Sequence, residues 1–189
     1  MNNDLQDWGL AYQEIATLIT TKVPTIKHVD LYWGQDQAVD EDGNWLPFPA
    51  PAVFLDFNAL SIEDLAEGRQ LITMDVGVKL YRETLSDTHK GSGNQAAALA
   101  FIGLMRQLHA ALHGAKGTHF GPMSRVALSR VDTQAYVQMY DQVYRTVMLD
   151  YGATATYQEE DAPPLELPQT PPAAAPAPDP QPLFRIPAP

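Results

Sequence analysis

Residues 69–82, RQLITMDVGVKLYR, carry the most regular hydrophobic pattern in the chain. Within them every second position is apolar, at Ile72, Met74, Val76, Val78 and Leu80. The positions between hold Thr73, Asp75, Gly77, Lys79 and Tyr81. A period of two predicts a β-strand with one buried face and one wetter face.

Around this strand, apolar spacing and turn residues predict two helices and four further strands. Pro24 ends the first helix and Gly114 ends the second, whose broad apolar side is fit to cover a sheet. We expect helices at Asp4–Lys22 and Asn94–His113, and strands at His28–Trp33, Ala52–Leu60, Ser124–Asp132 and Tyr140–Tyr157. Short breaks between strands favour antiparallel pairing, and separated helices favour an α+β fold.

Composition excludes several function classes. The 189 residues contain no cysteine, which excludes disulfide scaffolds, cysteine nucleophiles and thiolate zinc sites. A net charge of −11 argues against a surface that neutralises many phosphates. There is no apolar run of about 20 residues, so no membrane span is expected. Residues 1–4, Met-Asn-Asn-Asp, lack the pattern of a signal peptide, so we expect a soluble protein made inside the cell.

Proline divides the chain into two parts. Residues 159–189 hold 11 of the 16 prolines, interleaved with alanine, which disfavours both helix and sheet. We therefore expect a folded domain over 1–158 and an extended tail over 159–189. The tail ends with the apolar residues Leu183, Phe184 and Ile186, which are either a chance cluster or an anchor for another subunit or partner.

The histidines offer a weak metal pattern. His109 and His113 lie four residues apart on a predicted helix, the spacing with which two imidazoles bind one metal ion. His119 could add a third ligand, but position 110 is alanine where a metalloprotease has glutamate. Two histidines near a helix C-terminus are also favoured by the helix dipole, and we expect no metal site.

Two loops carry chemistry-bearing residues without a catalytic arrangement. Residues 83–93 contain Ser, Asp, His and Lys, but this glycine-containing loop offers neither a rigid nucleophile turn nor an oxyanion hole. Residues 36–42 are acidic and lack the regular oxygen spacing of a calcium loop. We expect no catalytic residue and no cofactor. In the same loop region Trp45, Leu46 and Phe48 either fold back on the core or meet a partner.

The order of these elements resembles that of tailed-phage tail terminator and neck (head–tail completion) proteins. The segments that carry the resemblance are Pro51–Phe57, Leu80-Tyr81-Arg82, Ser86-Asp87-Thr88 and the helix Asn94–His113. It covers Asp4–Tyr157, and the Pro/Ala tail is not a general family feature. In that family an N-terminal helix precedes a strand, a long hairpin or loop, a curved antiparallel sheet and a helix packed across it.

The resemblance implies a structural virion protein without catalytic residues. Its copies would form a homo-hexameric ring at the tail–neck junction, capping the tail tube and docking the neck or connector protein. The sheath is a further possible partner, DNA would pass through without specific binding, no membrane would be involved, and the chain would be made in the bacterial host cytoplasm. The expected interface residues are Trp45, Leu46, Phe48, Asp87, His89, Lys90, Leu183, Phe184 and Ile186.

Three alternatives stay open at the level of sequence. A head–tail joining or connector protein shares the small α+β build and the ring habit. A stand-alone binding module would use the proline-rich tail as a ligand for a grooved partner. An enzyme would need a deep pocket with perturbed titratable groups.

Overall fold

A computed structural model describes residues 7–35, 48–83, 87–131 and 137–152 of the chain. The predicted tail 159–189 and the loop residues Trp45 and Leu46 lie outside these ranges. The elements are α1 (Asp7–Lys22), β1 (His28–Leu31), β2 (Ala52–Asp64), a 3-10 turn (Ala66–Gly68), β3 (Gln70–Glu83), α2 (Gln95–Leu112), β4 (Ser124–Val131) and β5 (Val137–Asp150). This confirms the predicted α+β class.

The five strands form one open sheet in the order β1-β2-β3-β5-β4. β3 lies at its centre and pairs antiparallel with β2 on one side and with β5 on the other. β4 pairs antiparallel with β5, whereas β1 pairs parallel with β2 over Ala52–Leu55. The mostly antiparallel sheet is therefore confirmed, with one parallel pair at the β1 side.

Both helices pack on the same face of this sheet. The alternating residues of β3 that were predicted to face inward are buried, and the helices contribute the other half of a single apolar core. The core residues from the helices are Ala11, Ile15, Ile19, Phe101, Leu104, Leu108 and Leu112. We call the side of the sheet that α1 and α2 cover the helix face, and the other side the outer face.

Several strand ends differ from the prediction, most of all the ends of β2 and β5. β2 continues to Asp64 instead of stopping at Leu60, because it forms a long hairpin with β3 in which Ile62 pairs with Ile72. β5 ends at Asp150 instead of Tyr157. There the Tyr151 N–H donates to Asp7 Oδ2 at 2.6 Å, so the start of α1 holds the chain as it leaves the sheet.

Candidate assembly surface

Among the predicted interface residues, Phe48 lies against its own sheet. Its ring is 4.5 Å from that of Tyr81 and 5.0 Å from that of Phe54, both edge-on, and 6.2 Å from that of His28. These contacts match the alternative in which the loop residue folds back on the domain. A role for Phe48 in an interface stays a prediction.

The second predicted group, Asp87, His89 and Lys90, lies in an exposed turn before α2. His89 Nδ1 is 2.5 Å from Asp87 Oδ1, and Asp87 has a φ of 63°. This left-handed conformation is one that aspartate tolerates better than most residues. The turn therefore presents a local histidine–aspartate contact and a lysine to solvent. Leu183, Phe184 and Ile186 lie outside the described residues, as do Trp45 and Leu46.

The rings of His109 and His113 lie 4.9 Å apart, and each of the three histidines has a further polar neighbour of its own. His113 Nδ1 accepts the Arg125 N–H at 3.3 Å, and His109 Nδ1 lies 3.4 Å from the Tyr144 hydroxyl. His119 Nδ1 lies 2.8 Å from Glu14 Oε1. Within the described ranges no three His, Asp or Glu side chains are grouped so that they could hold a metal ion.

The outer face carries a buried charged cluster that sequence reasoning missed. Lys79 Nζ lies 2.9 Å from Asp141 Oδ2, 3.2 Å from Asp56 Oδ2 and 4.9 Å from the centre of the Tyr32 ring. Burial alone lowers the pKa of Lys79, but the two carboxylates outweigh it, so the pKa is raised. A lysine held protonated in this way anchors β2, β3 and β5 to one another and is unsuited to act as a general base.

The edge at β1 is capped by side chains of the same chain. The Leu31 N–H donates to Asp30 Oδ1 at 2.8 Å, and the Trp33 N–H donates to Gln35 Oε1 at 2.9 Å. Gln35 Nε2 in turn donates to the Leu31 carbonyl. Backbone groups that would invite another strand are therefore satisfied internally.

The edge at β4, residues 124–131, is uncapped beyond Arg125, whose N–H donates to His113 Nδ1. No strand in the described part of the chain pairs with its outer side, and six of its eight side chains are exposed. They include Val126 at 47% and Leu128 at 51% exposure. Charged residues on this strand are Arg125 and Arg130, with no acidic residue between 124 and 131. We call this surface the β4 edge.

The second uncapped edge is the part of β2 beyond β1, residues 56–64. β1 pairs with β2 no further than Leu55, and no other described strand covers the rest. Side chains from Asn58 to Asp64 are exposed, with Leu60 at 45% and Ile62 at 55%. The edge ends in the acidic pair Glu63 and Asp64. We call this surface the β2 edge.

A buried polar network fixes the β4 edge to the core. Gln142 is fully buried and donates from Nε2 to the Met105 carbonyl of α2 at 3.0 Å. Its Oε1 accepts from the Tyr144 hydroxyl at 3.0 Å and from Arg125 Nη1 at 3.2 Å. Burial raises the pKa of Tyr144 to about 12, partly offset by Arg125, so the hydroxyl stays a donor. Arg125 thus links β4 through Gln142 to α2, although most side chains of β4 are exposed.

A shallow apolar groove lies along the first half of α2. It has a volume of about 560 Å³ and is lined by residues including Pro51, Ala97, Phe101 and Leu104. Leu99 and Ile102 stand exposed on the same helix. The groove contains no cluster of titratable groups like those of an active site.

Neither uncapped edge was predicted from sequence. The β4 edge was recognised as a strand, but its exposure was not, because alternating apolar residues do not indicate which strands lie at the sheet edge. A signal for the β2 edge was present in the sequence Leu60-Ser61-Ile62-Glu63-Asp64, where apolar and polar residues continue past the predicted end.

Comparisons with known proteins leave the family open. No protein-family model matches the chain, and no curated protein matches it. One solved structure to which it is similar is a chain of the "Virion of native gene transfer agent (GTA) particle". The two share 14% identity at a TM-score of 0.33, over 76% of this chain and 92% of that chain. Values this low establish neither a shared fold nor a shared function. No helix in the described residues is long and apolar enough to cross a membrane.

Proposed function

We propose that this chain is a structural virion protein whose copies, six in number, form a ring that caps the head-proximal end of a phage tail and joins it to the neck. The observation that carries the proposal is the open sheet with two uncapped edges. Both the β4 edge and the β2 edge expose large apolar side chains, whereas the edge at β1 is capped by Gln35. Such surfaces are typical of subunits that are completed by neighbours.

Charge supports the same function. The chain carries 23 acidic and 12 basic residues, so a ring of its copies would be strongly acidic. Like charges would keep DNA from adhering to a channel that it must traverse. The element order that resembles tail terminator proteins gives the ring its proposed place, and the exposed turn with His89 and Lys90 is a candidate contact to the tube or neck.

The test is electron cryomicroscopy of particles of the phage that encodes this chain, combined with quantitative mass spectrometry of their proteins. We expect six copies per particle and a ring between the capsid and the tail tube. Particles that lack the chain, or that carry it along the whole tail, would overturn the proposal. Density on the capsid side of the neck, without contact to the tube, would favour a head–tail connector instead.

A shortened chain ending at Gln158 tests the proline-rich tail separately. The tail is proposed to tie the ring to an adjacent ring or to the sheath, so the shortened chain should form rings that dock poorly. A monomer that binds a partner through residues 159–189 alone would point to a stand-alone binding module.

A further inference from the structure

We infer that the β4 edge of one copy pairs antiparallel with the β2 edge of a second copy, so that one sheet continues from subunit to subunit. The inference rests on the proposed function, because it names the interface through which ring subunits would meet. The contact uses both uncapped edges, one from each of the two copies. The occupant of the β4 edge is therefore another copy of this chain.

Strand direction favours this contact. β2 runs antiparallel to β3, β3 to β5, and β5 to β4, so β2 and β4 run in opposite directions. A neighbour that continues the sheet in the same orientation brings its β2 beside β4 as an antiparallel partner. The alternation of the sheet is then preserved across the junction, in the pairing with the better hydrogen-bond geometry.

Charge selects the contact between unlike edges. The β4 edge carries Arg125 and Arg130 and no acid, whereas the β2 edge ends in Glu63 and Asp64. Two β4 edges in contact would place arginines against arginines, and two β2 edges would place acids against acids. A head-to-tail arrangement with Leu128 opposite Ile62 brings Arg125 next to the position opposite Asp64. Such an arrangement repeats around a rotation axis, as a closed ring requires.

Side chains on the two edges also match by face. Leu128 pairs with Gln142 and Ile62 pairs with Ile72, which places both residues on the helix face. When Leu128 lies opposite Ile62, two half-exposed aliphatic side chains cover each other at the centre of the contact. Arg130 and Asp64 share that face on either side of them.

The register that places Leu128 opposite Ile62 also allows the sheets of several copies to close into a ring. Within one copy, Leu128 pairs with Gln142, which pairs with Val78 of β3. Ile62 pairs with Ile72, which lies six residues before Val78 on the same strand. Bringing Leu128 opposite Ile62 therefore shifts the neighbour by about 20 Å along the strands, at about 3.3 Å per residue. The four strands β2, β3, β5 and β4 span about 19 Å at about 4.8 Å each. Strands would be inclined by about 45° to the ring axis, at the upper end of the range found in closed sheets.

The two edges lack some of the residues that protect natural sheet edges. Residues 56–64 and 124–131 contain no lysine and no proline, the residues that commonly block edge pairing. Each has a single register shift, at Leu60 and at Val126, where one residue interrupts the ladder. With Leu128 opposite Ile62, this leaves 61–63 facing 127–129 as regular strand on both sides of the contact.

Cysteine cross-linking tests the contact, because the natural chain has no cysteine. Ile62→Cys and Leu128→Cys are introduced into separate full-length chains, which are then mixed and treated with a short thiol-to-thiol cross-linker. We expect cross-linked pairs in the mixture and none in either variant alone. Leu99→Cys, whose side chain is 58% exposed on α2, replaces Leu128→Cys in the matched control.

Three outcomes would overturn the inference. The first is a mixture that cross-links no more than the control, and the second is a chain that stays monomeric at the highest concentration reached. The third is cross-linking of Leu128→Cys with itself, which would indicate contact between two β4 edges.

Charge reversal gives an independent test. Ala127→Glu with Ser129→Glu makes the β4 edge acidic opposite and beside Glu63, and Glu63→Lys with Asp64→Lys makes the β2 edge basic. Each double variant alone should associate more weakly than the natural chain, by on the order of tenfold or more, because like charges meet at every contact. An equal mixture should recover assembly, because the two variants can alternate around a ring of six. Variants that assemble normally alone, or a mixture that does not recover, would contradict the pairing.

The outcomes for this contact and for the proposed function are separable. If the chain forms a ring at the tail–neck junction but the edge variants behave like the natural chain, the edge pairing is wrong and the function stands. If the edges pair as expected but virions lack the chain, the pairing stands and the proposed function fails.

Discussion

β3 and β4 belong to the same sheet and both carry large apolar side chains, yet those side chains have opposite surroundings. In β3 the residues Ile72, Met74, Val76, Val78 and Leu80 are all at most 1% exposed. In β4 both Val126 and Leu128 are about half exposed. Folding of one subunit accounts for the apolar residues of β3 and leaves those of β4 without an explanation. The proposed association through β4 would explain this difference.

The largest effect that this comparison predicts comes from shortening one leucine in each strand. Leu80→Ala removes fully buried methyl groups from the core and should lower the free energy of unfolding by about 2–5 kcal/mol. Leu128→Ala should change it by less than about 0.5 kcal/mol, because its side chain is half exposed. Urea unfolding of the two variants measures both values. A cost for Leu128→Ala as large as that for Leu80→Ala would show that β4 belongs to the folding core.

A smaller loss of stability is predicted for a substitution at Gly117, in the loop that joins α2 to β4. A Cβ at Gly117 would lie 2.0 Å from Glu14 Oε2 and 2.4 Å from Phe120 Cε1. Gly117→Ala should therefore lower the free energy of unfolding by about 1–3 kcal/mol, as overpacking does. Gly103→Ala is the matched control, since its Cβ would meet no atom within 4 Å and alanine favours the helix by about 0.5–1 kcal/mol. Thermal unfolding that ranks the two variants in the reverse order would contradict the packing of α1 on this loop.

The smallest effect is the pH dependence of the same contact. Burial alone raises the pKa of Glu14, but hydrogen bonds and charge from His119, with the Thr118 N–H, outweigh it and lower the pKa below its ordinary value. Because the carboxylate is favoured in the folded state, its stabilisation is complete above the pKa of the unfolded chain, about 4.3, and is lost as the pH falls through the lower folded value.

We therefore expect Glu14→Gln to be less stable than the natural chain at pH 7, by about 1 kcal/mol. The difference should shrink as the pH falls below about 5. Denaturant unfolding at a series of pH values measures it. A difference that stays constant down to pH 3 would show that Glu14 acts through packing alone.

Sequence reasoning succeeded where one subunit supplies its own partners. The alternation in 69–82 predicted the buried face of β3 correctly, because burial within the domain produces that pattern. The broad apolar side of α2 was predicted only in part, since Leu99 and Ile102 are more than half exposed. The length of β2 and the parallel pairing of β1 were missed, since they depend on which strands become neighbours. Gln35 likewise caps the β1 edge through backbone contacts that no residue spacing indicates.

The two uncapped edges were harder to predict, because they too depend on which strands become neighbours in the sheet. Ile62 and Leu128, which lie on the two uncapped edges, are the same residue types as those of the core. They differ from core residues only in that about half of each side chain is exposed in the folded chain. The predicted interface residues were chosen as large apolar or charged side chains in loops. Of these, Phe48 contacts its own sheet, which an irregular loop sequence does not reveal.

Direct imaging of the junction between capsid and tail provides the most decisive measurement. A reconstruction of that region at a resolution that separates strands should show six copies of this chain, each adding β4 to the β2 of its neighbour in one continuous sheet. Particles whose junction is built without the chain would contradict the central claim that it works as a subunit of a virion ring.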